Sequence, residues 1–422
     1  MDVRKHGKGT IPLSKVVLDL PPSCIEFVPW LDVANPNGKW FVLGTYELQK
    51  EEFDEAKSSG PQSRNGSLIL FKLEDGKAIQ VDSVLTGSAV LDLHFVPGTQ
   101  AFAATDSTGG IKIFELEETA GDTSFSLKER FHHQVFPVED DILILSFTWY
   151  PFGGQNPPSL AITLSTGAIH VIRFTSWSFE SYLSEHGPLH EHTQKAECCA
   201  WSPYSKDPTQ PSLLFTGGDD VRESSLLIAQ LPHIKPNVEY DFEELVRPQA
   251  MKMRPHESGL TAILPLPGSC FSDTKPILLT GGYDGYIKVY APLGDTFSNR
   301  PKILAELEIG GGVWKLKLMN YEMERTAQTG RYRILASCMH AGSRVLDVVN
   351  MESQWMIKIL GAVGHDLNYA SDFQPRDDSV PIETAHLHTI FEKERVCVST
   401  SFYDRLLCVW KFDPSLGYKE DA

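Results

Sequence analysis

The sequence predicts an all-β chain wound into one seven-bladed β-propeller, and three observations carry that reading. A module of apolar strand, variable loop, stronger strand, tight turn and third alternating strand recurs along the chain. Seven copies of it tile the sequence. One further strand, KVVLDL from Lys15 to Leu20, stands ahead of the first copy with no local partner.

The first copy spans Cys24 to Leu73, where CIEFVPW, WFVLGTYEL and GSLILFKL are runs of β-branched and aromatic residues. The second, Val90 to Leu116, pairs VLDLHFVPG with AFAATDSTGGIKIFEL. The third, Ile142 to Phe174, reads ILILSFTWYP and LAITLSTGAIHVIRF. The fourth, Ala196 to Leu231, reads AECCAWSPYS and LLFTGGDDVRESSLLIAQL. In the fifth and clearest, His256 to Pro292, a Gly-Tyr-Asp-Gly turn sits between two runs of β-formers, a hairpin signal. The sixth, Gly310 to Val348, pairs GGGVWKLKLMN with RILASCMHAGSRVLDV. The seventh, His365 to Phe412, pairs HDLNYASDFQP with RVCVSTSFYDRLLCVWKF.

The copies recur at roughly 50–65 residues, against about 40–45 for a minimal blade. Polar insertions at Gln49 to Gly66 and Lys235 to Pro255 account for the excess, and both read as surface loops. One blade cannot bury both faces of its sheet, so the copies must stack around an axis as a single domain over residues 1–422. The spare strand, Val16 to Leu20 at its heart, completes the blade that contains Trp410 and removes an open edge. A parallel β-helix or a pair of sandwiches is the alternative, and the hairpin in each unit argues against both.

A formal net charge of −17 argues against nucleic acid and fits a cationic or basic partner. The seven cysteines lie mostly in apolar runs, without metal-ligand spacing. No apolar signal core or membrane-length stretch appears, which points to a reduced cytosolic setting. A monomer without metal or cofactor is expected.

In such a ring the loops leading into each blade and the turns between its second and third strands share one rim. The candidates there are His256, the run Gly310-Gly311-Gly312-Val313-Trp314, and the turn residues Asp219, Asp220, Tyr283, Asp284, His340, Tyr403 and Asp404. Asp106, Asp284 and Asp404 occupy a turn position where an aspartate holds its own hairpin. Asp284 and His256 have the makings of such a structural pair, and Trp314 either caps the core or faces a ligand. His340 takes the turn position in CMHAG where the repeat expects aspartate, and Asp219-Asp220 doubles the carboxylate. The histidine-bearing HHQ (His132 to Gln134) and HEHTQ (His190 to Gln194) read as loops without a zinc ligand set. No nucleophile elbow, H-E-x-x-H or P-loop is present.

The ordered set GTYEL, TGGDD, GGYDGYI, GGGVWKLK, CMHAG and STSFYDRLLCVW resembles the WD-repeat diphthine methylesterases, from about Cys24 to Phe412. The terminal Trp-Asp pair of the WD signature is missing, with Trp410-Lys411 and Phe114-Glu115 in its place. The resemblance implies hydrolysis of the methyl ester of methylated diphthine, a modified histidine on translation elongation factor 2, as a step of diphthamide biosynthesis. It supplies no catalytic set, so roles follow from chemistry. Water activated by a histidine is the simplest scheme, with His340 the first choice of base and His256 the second. Asp220 orients the base or holds the substrate cation, and backbone N–H groups of Gly310 to Gly312, Gly311 at their centre, face the oxyanion. A trimethylammonium donates no hydrogen bond, so its recognition falls to Tyr283, Trp314 and Tyr403, with Asp219, Asp284 and Asp404 beside them. The competing reading is a non-enzymatic scaffold for protein–protein contacts, which needs the rim but no base. A phospho-motif reader fits poorly, because Arg222, Arg344 and Arg405 are interspersed with acids.

Overall fold

The computed structural model describes residues 9–29, 38–49, 63–119, 124–151, 157–184, 187–203, 212–220, 225–231, 251–268, 276–292, 301–324, 329–352, 354–375 and 391–416. They form seven antiparallel sheets arranged as blades. The inner strands are Pro22–Phe27, Val90–Phe95, Ile144–Trp149, Ala196–Trp201, Leu260–Pro265, Lys315–Glu324 and Ser371–Phe373. Six blades take their outer strand from the segment that follows: Lys77–Leu85, Phe125–Gln134, Tyr182–Ser184, Met251–Met253, Lys302–Glu308 and Gln354–Val363. Blade 7 takes its outer strand from the start of the chain.

Seven apolar clusters hold the ring, one at each junction between neighbouring blades. Between blades 1 and 2, for instance, Val42, Leu70, Leu93 and Phe114 share one cluster. The junction of blades 7 and 1 is as apolar as the others, with Phe41, Leu43, Val398, Leu407 and Leu18 packed together. Burying such side chains contributes roughly 1.5–3 kcal/mol each, so a blade is stable only with both neighbours present.

The closing strand runs Thr10–Val17, earlier than the expected Val16 to Leu20. It pairs with Leu406–Phe412 from Thr10↔Phe412 to Val17↔Leu406, broken by a register shift between Pro12 and Ser14. Proline, serine and lysine interrupt the apolar pattern there, and an outer strand tolerates proline because one of its edges is unpaired. Leu18 is buried just past the strand, and its N–H bonds the Arg405 carbonyl at 2.7 Å.

Three loop assignments change. His132 and His133 lie in the outer strand of blade 2, and His190–Glu191 pairs with Ala168–Phe174 of blade 3. Met251–Met253, inside the insertion read as a loop, is the outer strand of blade 4, while 232–250 lies outside the described residues. Glu47–Leu48 and Arg64–Asn65 pair at the base of the first insertion, whose centre is also outside them.

In five blades the inner strand slips register one residue after it begins, skipping Ser23, Leu91, Leu145, Glu197 and Thr261. A bulge of this kind re-aims one side chain. It falls each time at the strand start, where the chain arrives from the rim.

Candidate active site

Four of the turn carboxylates brace their own blades. In blade 5, His256 is 2% exposed; its Nδ1 lies 2.9 Å from Asp284 Oδ1 and its Nε2 3.0 Å from Thr280 Oγ1. Burial works to raise the Asp284 pKa, but the His256 contact and the N–H groups of Tyr286 and Glu257 bring it below the ordinary carboxylate value. Blade 4 repeats the device. His192 Nε2 lies 2.9 Å from Thr216 Oγ1, its Nδ1 3.4 Å from Asp220, and Asp220 accepts the N–H and hydroxyl of Thr193. In blade 7, Ser399 Oγ accepts Trp410 Nε1–H at 2.9 Å and lies 2.7 Å from His365 Nε2, while Asp404 accepts the Ser401 hydroxyl at 2.8 Å. In blade 2 a serine replaces the histidine, and Asp106 accepts Ser88 Oγ at 2.9 Å.

Blade 6 departs from this plan. His340 is exposed, and its Nδ1 lies 2.7 Å from the Asp366 carbonyl oxygen. A carbonyl only accepts, so Nδ1 carries the proton and the neutral ring keeps its Nε2 lone pair. The turn beneath it is fixed by backbone bonds. Met339 sits at φ 39°, a left-handed conformation unusual for a side-chain-bearing residue, and exchanges two backbone bonds with Asn368. Asn368 is fully buried, with its amide hydrogens on Ala370 and Thr400 carbonyls and its oxygen bonded by Ser343 and Ser371.

Gly311 and Gly312 pack against that turn. A Cβ at Gly311 would lie 2.7 Å from the Cys338 carbonyl, and one at Gly312 2.7 Å from Met339 Sδ, so neither position admits a side chain without movement. The N–H groups of Ile309, Val313 and Trp314 are bonded, whereas those of Gly310, Gly311 and Gly312 meet no acceptor among the described residues.

The rim aromatics form one continuous arc. Tyr283 and Trp314 have centroids 6.3 Å apart, Trp314 and Tyr369 5.1 Å, Tyr369 and Phe402 5.4 Å, and Phe402 and Tyr403 5.5 Å. Tyr46 of blade 1 adds to Phe402 at 6.2 Å. Tyr283 and Tyr403 are 37% and 67% exposed, so the arc is open to a ligand at Tyr283 and ragged at Tyr403. Asp219 lies against Gly259, where an added Cβ would be 2.4 Å from its carboxylate and 3.1 Å from the Tyr283 ring. Glu197, the bulged residue of blade 4, accepts the Tyr283 hydroxyl at 3.4 Å.

The electrostatics at this end of the arc are negative. Burial raises the Glu197 pKa and the nearby Asp219 charge adds to that, against Lys195. Asp219 is raised by its own burial, then by Asp220. The Tyr283 phenol is pushed up by burial, then by the charges of Glu197 and Asp219. A cation would be drawn into this field.

Below the rim, ion pairs link inner strands around the central channel, one of them across it. Lys315 of blade 6 reaches Asp92 of blade 2 at 2.9 Å, Lys317 reaches Asp372 of blade 7 at 2.9 Å, and His94 meets Glu26 of blade 1 at 2.6 Å. Burial disfavours the charged ring of His94, but Asp92 and Glu26 outweigh it and raise its pKa to about 9. Among the described residues no group of three or more His, Cys, Asp or Glu is arranged to hold a metal ion. Six cysteines are free thiols; Cys270 lies outside the described residues.

Of the residues singled out from sequence, Tyr283, Trp314, Asp219, Gly311 and His340 belong to one stretch of rim over blades 4 to 6, and Tyr403 extends it on blade 7. Asp284, Asp220, Asp404 and His256 are engaged in hairpins. Glu197, Tyr369 and Phe402 were missed. A charged residue in the otherwise apolar AECCAW was the available signal for the first; NYAS gave none for Tyr369.

The motif for "WD domain, G-beta repeat" matches residues 248–291, the stretch that contains the His256–Asp284 hairpin. The chain carries a WD repeat. It is 25% identical over 438 residues to the Saccharomyces cerevisiae protein named diphthine methyltransferase, covering 94% of this chain and 97% of that one. Solved structures agree on the fold. Sqt1 from Chaetomium thermophilum aligns with a TM-score of 0.51 and 14% identity, over 94% of this chain and 83% of Sqt1. A chain of the mitotic checkpoint complex aligns with a TM-score of 0.53 and 11% identity, over 98% of each. No helix among the described residues is long and apolar enough to cross a membrane.

Proposed function

We propose that this WD-repeat chain acts in diphthamide biosynthesis, hydrolysing the methyl ester of methylated diphthine on translation elongation factor 2. The observation that carries the reading is His340: an exposed imidazole whose Nδ1 donates to the Asp366 carbonyl and leaves Nε2 as the acceptor, on a turn that packs against Gly311 and Gly312. The similarity over 94% of the chain to a protein named for diphthine supports a diphthine substrate.

In this scheme His340 Nε2 takes a proton from water as its oxygen attacks the ester carbonyl. The oxyanion forms against the N–H groups of Gly310 to Gly312. The tetrahedral intermediate collapses as the imidazolium returns the proton to the departing methoxide, releasing methanol and the carboxylic acid, which gives its remaining proton to water. Tyr283 and Trp314, with Tyr403 at the margin, offer ring faces to the trimethylammonium, each worth roughly 0.5–2 kcal/mol. Asp219 adds charge. His256, Asp220, Asp284 and Asp404 act one step back, by fixing the turns. The free thiols suit the cytosol.

The relative's name describes methyl transfer, and one measurement separates the readings. Methylated elongation factor 2 incubated with the purified chain loses the mass of one methylene if the ester is hydrolysed. A gain of that mass, dependent on a methyl donor and starting from the unmethylated factor, supports transfer. No change with either, alongside stable complex formation, leaves a scaffold.

A further inference from the structure

We infer that Glu197 makes this site select the methyl ester over its own hydrolysis product, by charge. The inference rests on the reading above and deepens it, since it concerns how the same site distinguishes substrate from product.

The substrate head is a quaternary ammonium beside a neutral ester, with net charge +1. Hydrolysis adds a carboxylate close to that ammonium and leaves a zwitterion. Aromatic faces attract the ammonium alike in both. A carboxylate on the protein does not treat them alike, because it draws in the cation and repels the new anion.

Glu197 is placed for that task. It is the residue skipped by the register shift between Ala196 and Cys198, so its side chain leaves the regular alternation of the inner strand. It is half-buried beneath the arc, its Oε1 takes the Tyr283 hydroxyl at 3.4 Å, and no other hydrogen bond to it forms among the described residues. Its charge is felt at Tyr283 and at Tyr369, on either side of Trp314. Asp219 adds a second negative charge, and the exposed Lys195 is the cation that opposes them. The channel cations Lys315 and Lys317 are turned to Asp92 and Asp372.

Two small probes test it on the full chain. Glycine betaine carries the trimethylammonium and a carboxylate, and its carboxamide carries the same ammonium beside a neutral carbonyl that resists hydrolysis. Both are titrated by ligand-detected NMR into the wild-type chain and into Glu197→Gln, which keeps the shape and removes the charge. The carboxamide is expected to bind roughly tenfold tighter than betaine, and Glu197→Gln to shrink the ratio to about threefold or less. Asp219→Asn is the second variant should Glu197→Gln fail to fold, and it should shrink the ratio by a smaller factor. Equal binding of the two probes by the wild-type chain, or a ratio untouched by the substitutions, overturns charge selection and leaves the ammonium pocket standing. If neither probe binds, the pocket falls and the selection with it.

Discussion

In blade 5 the tight turn presents Asp284 to His256, and both side chains hold the hairpin together. One blade further on, the same turn presents His340 to solvent, hung by Nδ1 from a backbone carbonyl. The scaffolding beneath the two turns is of different kinds. Blade 5 is braced by its side-chain relay, whereas blade 6 is braced by a left-handed Met339 and a buried asparagine that bonds backbone on both sides. The contrast teaches that a repeat can release one turn for chemistry when a second device takes over the bracing.

The largest effect expected from breaking that contrast is on turnover. His340→Ala should lower ester hydrolysis about 10²–10⁴-fold, the range of general-base help, with an unchanged melting curve. Its counterpart His256→Ala should cost about 1–3 kcal/mol of stability, because it strands Asp284 and Thr280 without their partner, and should keep its activity per folded molecule. Should His340→Ala retain full activity while His256→Ala loses it without unfolding, the two roles are exchanged. If both stay active, histidine is not the base, and Asp219 and Asp220 come next.

A smaller effect sharpens the same division within one dipeptide. Asp220→Asn should lower stability by about 1 kcal/mol, having lost a charge-assisted contact to His192 and Thr193. Asp219→Asn should leave the melting point alone and weaken substrate binding. A reversed pattern would show that the doubled carboxylate is divided the other way.

A last effect, spread over a wide pH range, concerns rim against channel. The folded pKa of His94 is raised to about 9 from an unperturbed value near 6.5. Its contribution to stability is therefore complete below about pH 6.5 and is lost as pH rises through 9, with a slope no steeper than about 1.4 kcal/mol per pH unit. Denaturant midpoints measured between these limits should fall with pH, and His94→Gln should flatten that fall. An unchanged slope in the variant would assign the alkaline loss elsewhere.

How much of this was legible in the sequence depends on what each residue packs against. Three strands of every blade could be read, because their buried faces give dense runs such as ILLTGG and IKVY. The outer strands of blades 1 to 6 could not. Lys77–Leu85 alternates buried and exposed positions weakly, and Met251–Met253 is three residues long inside a polar insertion. The doubled carboxylate was visible as an anomaly at Asp219-Asp220, yet its division of labour depends on His192, whose lead-in loop had no motif of its own. The channel pairs leave a trace in the sequence: Glu26, Asp92, His94, Lys315, Lys317 and Asp372 are all ionisable residues within inner strands. A polar residue at the same place in successive copies marks the axis of the ring, where water and neighbouring blades supply its partners.

The joint between Thr10–Val17 and Leu406–Phe412 also has a consequence for synthesis. The ribosome makes one partner near the beginning and the other near the end, and at about 5–20 residues per second these are roughly 20–80 s apart. Through that interval blade 1 lacks one of its two neighbours, and the apolar faces of Phe41 and Leu43 wait for Val398 and Leu407. Such an unfinished circle is where chaperone attendance would count most, and an early stop anywhere before blade 7 strands both ends at once.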